Sequence, residues 1–289
     1  MRENVTLLIA GLGFSGFAIA RLAAMRGIEV IGSSRNYDKR KVPPNVEWAS
    51  FDDPAPYARA THLLASVPPG EDGDPVLSVH GASIRSGNLR WIGYLSTTGV
   101  YGDRAGKWVD EATETRPGQE RSRRRVLAEQ QWNAIADRRP LDVFRTAGIY
   151  GPGRSAFDEL RAGRARSIRR PHHAFGRIHR DDIARAVLSA MARLGARRRI
   201  LHLVDDEPAE PRDVTLEAAR LLGMEPPPDI PFEQAWQGMS EMGRSFWSEN
   251  RRVSNRMTKA ELCLEWAYPS FREGLRAILA EERTQGPAE

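Results

Sequence analysis

A short apolar run at residues 5–10 breaks at Gly11, and the chain resumes over residues 14–26 with Phe17, Ala20 and Ala24 recurring at helical spacing. Strand, tight turn and helix therefore follow in order, and Ile28-Glu-Val-Ile-Gly returns as a second strand, completing a β-α-β unit of the length expected for a right-handed crossover. Gly11, Gly13 and Gly16 occupy the turn with the spacing Gly-x-Gly-x-x-Gly. The first permits the turn, the second lets backbone approach a pyrophosphate, and the third lets the helix pack closely. Free N–H groups at the helix start, around Phe14 and Ser15, would then meet the phosphates.

Apolar or β-branched runs recur at residues 46–49, 62–67, 91–96, 141–145 and 200–204, and the segments 74–86, 119–136 and 181–194 between them read as helices. Asp181 and Asp182 suit the start of the last one. The alternation predicts an α/β fold: a Rossmann-type doubly wound parallel sheet with helices on both faces and a smaller C-terminal substrate lobe. Past Val204 the prolines at 208, 211, 226–228 and 231 break the chain into short helices. Residues 151–177, rich in Gly and Arg, read as part of that lobe or as a loop over the cleft. The expected division is 1–147 with 178–204 for the dinucleotide-binding domain, and 148–177 with 205–289 for the lobe.

With 289 residues, 40% of them hydrophobic, the chain can bury a substantial core. One cysteine, Cys263, excludes an internal disulfide framework and suits a reducing cytoplasm. No run is long enough to span a membrane, and Met-Arg-Glu-Asn leads into a strand instead of a secretory leader, so a soluble cytoplasmic protein is expected. The net charge of +5 is almost all arginine and is dispersed among carboxylates, without a basic stripe interleaved with aromatics. Nucleic acid is not an expected partner. The run 197–199 reads as a solvated face or turn, and the adjacent His172 and His173 are poor geometry for one metal, so no metal is expected.

After the second strand, where a carboxylate would hold a ribose 2′-hydroxyl, stand Ser33, Ser34 and Arg35. Hydroxyls and a guanidinium bind a 2′-phosphate, which a carboxylate would repel, so the cofactor indicated is NADP over NAD. The alternative is that Arg35 is one more surface arginine and the serines shape a turn. Asp52, after the third strand, suits either an adenine amino group or a helix cap. Ser66, Val67 and Pro68 form a turn bordering the adenosine half.

Four further segments, in order, are Leu95-Ser-Thr-Thr-Gly-Val-Tyr-Gly102, Arg145-Thr-Ala-Gly-Ile-Tyr-Gly-Pro-Gly153, Arg177-Ile-His-Arg-Asp-Asp182 and Tyr268-Pro-Ser-Phe-Arg-Glu-Gly274. With the glycine fingerprint they make the chain resemble the extended short-chain dehydrogenase/reductases, which contain nucleotide-sugar epimerases and dehydratases. The resemblance implies that Thr97 holds the substrate hydroxyl or carbonyl and that Gly148 borders the cofactor. It also implies a Tyr-x-x-x-Lys pair on the next long helix. Aligned on Ala128-Glu129, those places hold Arg121 and Arg125.

Arginine stays protonated and cannot exchange the proton that a phenol exchanges there. Arg125 can still bind the nicotinamide ribose, and Arg121 can stabilise an oxyanion or a substrate phosphate or carboxylate. Helical geometry puts these two on one face and Arg123 elsewhere; the alternative is that the whole run faces water. Tyr101 and Tyr150 are candidate phenols or packing residues. His179 is a candidate proton donor or a satisfied structural histidine. The resemblance also implies a homodimer through the helix at 119–136 and the one before it. Trp236, Phe246 and Trp247 line a pocket or form the lobe's core.

Two functional readings follow. One is an NADP-dependent oxidoreductase or epimerase/dehydratase-like enzyme with a non-standard proton donor, acting on a small polar or nucleotide-linked substrate. The other is an NADP-binding sensor that turns over nothing.

Overall fold

The computed structural model describes residues 5–38, 42–195 and 197–285. The chain start, read above as leading into a strand, lies outside them. Seven strands form the central sheet: β1 (Thr6–Ala10), β2 (Glu29–Ser34), β3 (Glu47–Ser50), β4 (His62–Ala65), β5 (Trp91–Thr97), β7 (Leu141–Thr146) and β11 (Arg198–Leu203), with the short β6 (Trp108–Val109) outside it. They lie in the order β3-β2-β1-β4-β5-β7-β11, and every neighbouring pair is parallel. The strand order reverses at β1 and β4. In such sheets ligands bind outside the carboxyl ends of the strands, at that reversal.

The seven strands are the seven runs read from the sequence, because strands covered on both faces are apolar almost throughout. Side chains still alternate: Leu7 and Ile9 enter one core layer with Ile19 and Val187, while Leu8 and Ala10 enter the other with Tyr57 and Trp132. Helix α1 (Phe14–Met25) and α6 (Arg180–Ala192) cover the first face. Above the second lie α2 (Ala55–Arg59), α3 (Pro75–Ser86) and α4 (Glu120–Ala136). Asp74 ties the last two together, its carboxylate accepting from Val76 N at 2.8 Å and from Trp132 Nε1 at 2.9 Å.

One expectation fails in this layer. The run 197–199 does not simply face water: Arg199 is buried, gripping the buried Asp142 through two contacts of 2.7 Å. Strand pairing carries the side chain inward, and the carboxylate of the adjacent strand compensates its charge.

The remaining elements are β8 (Gly148–Tyr150), α5 (Ala156–Arg161), β9 (Ser167–Arg169), β10 (Arg177–His179), α7 (Pro211–Leu222), β12 (Asp229–Pro231), α8 (Phe232–Gln237), α9 (Glu241–Trp247), β13 (Arg252–Val253), α10 (Arg256–Leu262) and α11 (Phe271–Gln285). Three two-stranded parallel pairs link them across the sequence: β8 with β10, β9 with β12, and β6 with β13. Phe157 and Leu160 of α5 pack with Ala218, Phe271 and Leu275, so the 151–177 excursion shares a core with the C-terminal helices. Among the described residues no helix is long and apolar enough to cross a membrane, and no cluster of side chains is suited to a metal ion.

Candidate functional site

The glycine turn shows which of its positions are closed and which is open. Gly11, at φ +112°, donates its N–H to Ser33 O at 3.0 Å, and a Cβ there would lie 2.7 Å from Ser66 Oγ. A Cβ on Gly16 would fall 2.0 Å from Gly11 O, so helix and turn are in direct backbone contact. At Gly13, which is exposed, a Cβ meets nothing within 4 Å. Helix α1 has no side-chain cap and no acidic residue in its first turn. Its first N–H groups and the positive end of its dipole therefore face that open space without compensation.

Around this turn, Ser66 Oγ donates to Gly11 O at 2.6 Å, which spends its proton on the turn itself. Val67 packs against the core, and Pro68 reaches the cleft described below. Ser15 is buried. Two guanidinium groups lie over the ring of Phe14, Arg180 at 5.0 Å and Arg154 at 5.6 Å from its centroid.

At the end of β2, Ser33 is buried and its hydroxyl has no partner. Ser34 Oγ donates to Asn36 O and accepts from Trp48 Nε1, each at 2.9 Å. Arg35 is exposed, with no hydrogen bond or ion pair among the described residues. Asp52 is exposed too, and the backbone bond expected of it as a cap is made by Asp53, whose Oδ1 accepts from Ala55 N at 2.9 Å.

Beyond the ends of β5 and β7 opens a cavity of about 780 Å³, whose walls come from both the sheet and the C-terminal segments. Thr97 is in its floor and caps the 3-10 turn Thr98–Tyr101, its Oγ1 accepting from Gly99 N at 3.1 Å. The hydroxyl proton remains free to donate. Gly148, Arg121 and Arg125 line the same cavity. Arg125 Nη1 donates to Leu95 O at 2.7 Å and Tyr94 OH at 3.1 Å, which fixes it beside the end of β5. One turn earlier, Arg121 lies over the Phe246 ring, 4.1 Å from its centroid. Arg123, on another face, pairs with Glu120 in solvent. The face division inferred from helical spacing is what the structure has.

The candidate proton donors are placed elsewhere. Tyr101 is buried, its OH accepting from Arg145 Nη1 at 2.7 Å and contacting His202 Nε2 at 2.5 Å, and burial pushes its pKa up to about 12. Tyr150 donates to Ser270 O at 3.3 Å, and burial pushes its phenol up further. His179 is a correction to the candidate catalytic set. It is 1% exposed, absent from the cavity wall, and caps α6 by accepting from Asp181 N at 3.2 Å. Burial lowers its pKa to about 4, so the ring is neutral and structural at neutral pH.

Sequence reasoning missed Arg154, Arg177, Phe175, Glu249 and Arg251, all in the cavity wall, and favoured a core role for Phe246 and Trp247, which line it as well. Trp236 and Trp247 both pack with Phe232 in one aromatic cluster, so Trp247 is a core residue of the lobe as well as part of the wall, whereas Phe246 is exposed. Among the described residues Glu249 is the sole carboxylate of the wall, and it is 2.7 Å from Arg251. These wall residues converge through several non-local pairings, β8 with β10 beside Phe175 and Arg177 and β6 with β13 beside Glu249 and Arg251, which no local pattern announces.

No family model matches the chain. It is 42% identical to a functionally unknown conserved protein from Silicibacter pomeroyi DSS, with 96% of this chain and 99% of that one covered and a TM-score of 0.86. It is 28% identical over 286 residues to Protein YeeZ of Escherichia coli K12, covering 90% of this chain and 95% of that one. The human epimerase family protein SDR39U1, solved with NADPH, is 18% identical with a TM-score of 0.73, covering 96% and 99%, a likeness of fold.

Proposed function

We propose that this chain, which shares its family with the functionally unknown Silicibacter pomeroyi protein and its fold with NAD(P)-dependent epimerase/dehydratases of the extended short-chain type, is an NADP-binding oxidoreductase or epimerase/dehydratase-like enzyme. Its substrate is small and polar or nucleotide-linked, and its acid/base chemistry is non-standard. One observation carries the reading: the open Gly13 turn at the uncapped start of α1 and the Thr97 floor of the cleft lie on the same carboxyl edge of one parallel sheet.

The residues present fit the cofactor. Backbone around Gly13, Phe14 and Ser15 meets the pyrophosphate, and Arg35, which has no carboxylate partner among the described residues, with Ser34 takes the 2′-phosphate. Arg125, held on Leu95 O, orients the nicotinamide ribose, and Gly148 lets that half lie close to backbone. Bound NADP supplies hydride transfer. Thr97 would hold the substrate oxygen by a hydrogen bond from its hydroxyl, and Arg121 would place positive charge on the substrate beside that oxygen.

A second reading is an NADP-binding sensor. It is favoured by the cavity wall itself, which among the described residues holds no Tyr, His, Lys or Cys, and whose one carboxylate is paired with Arg251. Calorimetry with NADPH and NADH tests the common part: NADPH binds roughly tenfold tighter or better, and Arg35→Ala abolishes the difference. Equal affinities would remove the NADP assignment. NADPH consumption with a panel of carbonyl compounds separates enzyme from sensor.

A further inference from the structure

Among the described residues the cavity wall holds six arginines, at 121, 124, 125, 154, 177 and 251, against the single carboxylate of Glu249. Most are already engaged. Arg124 pairs with Glu71 at 3.0 Å, Arg251 with Glu249 at 2.7 Å, and Arg177 donates to Phe175 O and Ala209 O at 2.9 Å each. Arg154 lies against Phe14 at the start of α1, where the cofactor's own phosphates belong, and Arg125 is held through Nη1 on Leu95 O and Tyr94 OH, where the cofactor's ribose belongs. Arg121, like Arg154, has a ring as its contact, here Phe246, and no side-chain hydrogen bond or ion pair among the described residues; unlike Arg154 it is on α4, away from the start of α1.

A guanidinium that uses its face on a ring keeps its edge, and that edge is a planar fork of N–H donors matched to a carboxylate or phosphate. Arg121 is one helical turn from Arg125, which is anchored two residues before Thr97. Ser122, beside it, is packed so closely on the turn after Thr97 that a Cβ on Gly99 would lie 2.8 Å from its Oγ. The free fork is therefore toward the Thr97 end of the cleft, on an exposed residue where an anionic group of a ligand can take the place of solvent.

We infer that the substrate is an anion whose carboxylate or phosphate is bound by Arg121, backed by Phe246, beside the carbon whose oxygen Thr97 holds. This rests on the reading of the cleft as the substrate site of an NADP-binding protein. It adds the charge of the substrate and the end at which that charge is carried.

The test uses the full chain saturated with NADP⁺, and in parallel the cofactor-free protein. The probes are pyruvate against pyruvamide, and glyceraldehyde 3-phosphate against glyceraldehyde, with binding read by calorimetry. At least one anion should bind roughly tenfold or more tighter than its uncharged counterpart, the first pair reporting carboxylate and the second phosphate recognition. Arg121→Gln should erase that preference while leaving NADPH affinity intact, Arg123→Gln should keep it, and Phe246→Leu should weaken it. Equal binding of anion and neutral partner, no binding of any probe, a preference that survives in Arg121→Gln, or a matching loss of NADPH affinity in that variant would each overturn the inference. Failure of the unaltered protein to bind NADPH would contradict the cofactor reading instead, and the cofactor-free titration would still report on Arg121.

Discussion

Arg145 grips Glu129 through contacts of 2.7 and 3.1 Å with both side chains buried, and the same carboxylate accepts the Ser96 hydroxyl at 2.7 Å. The pair thus lies directly beneath the residue that precedes Thr97. Arg145 also donates to Tyr101 OH, which extends the network to His202 and, through it, to Ser254 O at 2.7 Å.

Breaking this pair should be costly. Glu129→Met or Arg145→Met alone leaves one buried charge without its partner, at about 3–5 kcal/mol of unfolding free energy. The double replacement should lose less than the sum of the two singles. Urea unfolding of all four proteins measures the coupling, and simple additivity would mean that the two side chains act independently.

The glycine fingerprint makes a contrasting pair of predictions. Gly16→Ala drives a Cβ to within 2.0 Å of Gly11 O and should destabilise the fold by about 1–3 kcal/mol. Gly13→Val meets open space at a backbone φ of −83°, so the melting temperature should hold while NADPH affinity falls by roughly tenfold or more. Thermal denaturation and calorimetry of both variants check it. A destabilised Gly13→Val protein would show that the turn is not open.

How far the sequence spoke for itself follows from the range of the forces involved. The central strands were legible as short apolar runs, α1 by its helical spacing, α3 and α4 as segments long enough for helices between those runs, and Gly11, Gly13 and Gly16 because turn chemistry is local. The parallel pair β9–β12 was not, since Ser167 and Asp229 are far apart in the chain and three-residue strands carry no period. The roof of the cleft was hidden for the same reason: Phe246 and Glu249 reach it through tertiary packing. His179 misled because a helix-capping histidine and a catalytic one look alike until burial is known.

That burial has a pH signature. Burial lowers His179 from its ordinary 6.5 to about 4, and His202 and His173 behave alike. Between pH 6.5 and 4 the unfolded chain takes up protons that the folded chain refuses, so stability is present above the upper value and is lost as pH falls through the window. Each histidine contributes up to ~1.4 kcal/mol per pH unit there. Asp205, raised by burial, has the opposite sign, so the decisive quantity is a difference between variants. His179→Asn retains a capping side chain, and its melting temperature should fall less steeply on acidification than that of the unaltered protein. Parallel slopes would show that His179 titrates normally.

Arg125 separates two roles of a cation at this site. Arg125→Lys keeps the charge near Leu95 O and should bind NADPH within roughly tenfold of the unaltered protein, whereas Arg125→Ala should lose more than that. Calorimetry distinguishes them, and an unchanged affinity in Arg125→Ala would take this residue out of the cofactor site.

The most direct test of the account is a crystal structure of the protein with NADPH. The account predicts the pyrophosphate over Gly13 at the start of α1, the 2′-phosphate at Arg35, and nicotinamide C4 beside Thr97 with the Arg121 guanidinium facing the space next to it. A cofactor bound with its nicotinamide away from Thr97, or a cleft that takes no dinucleotide, would contradict it.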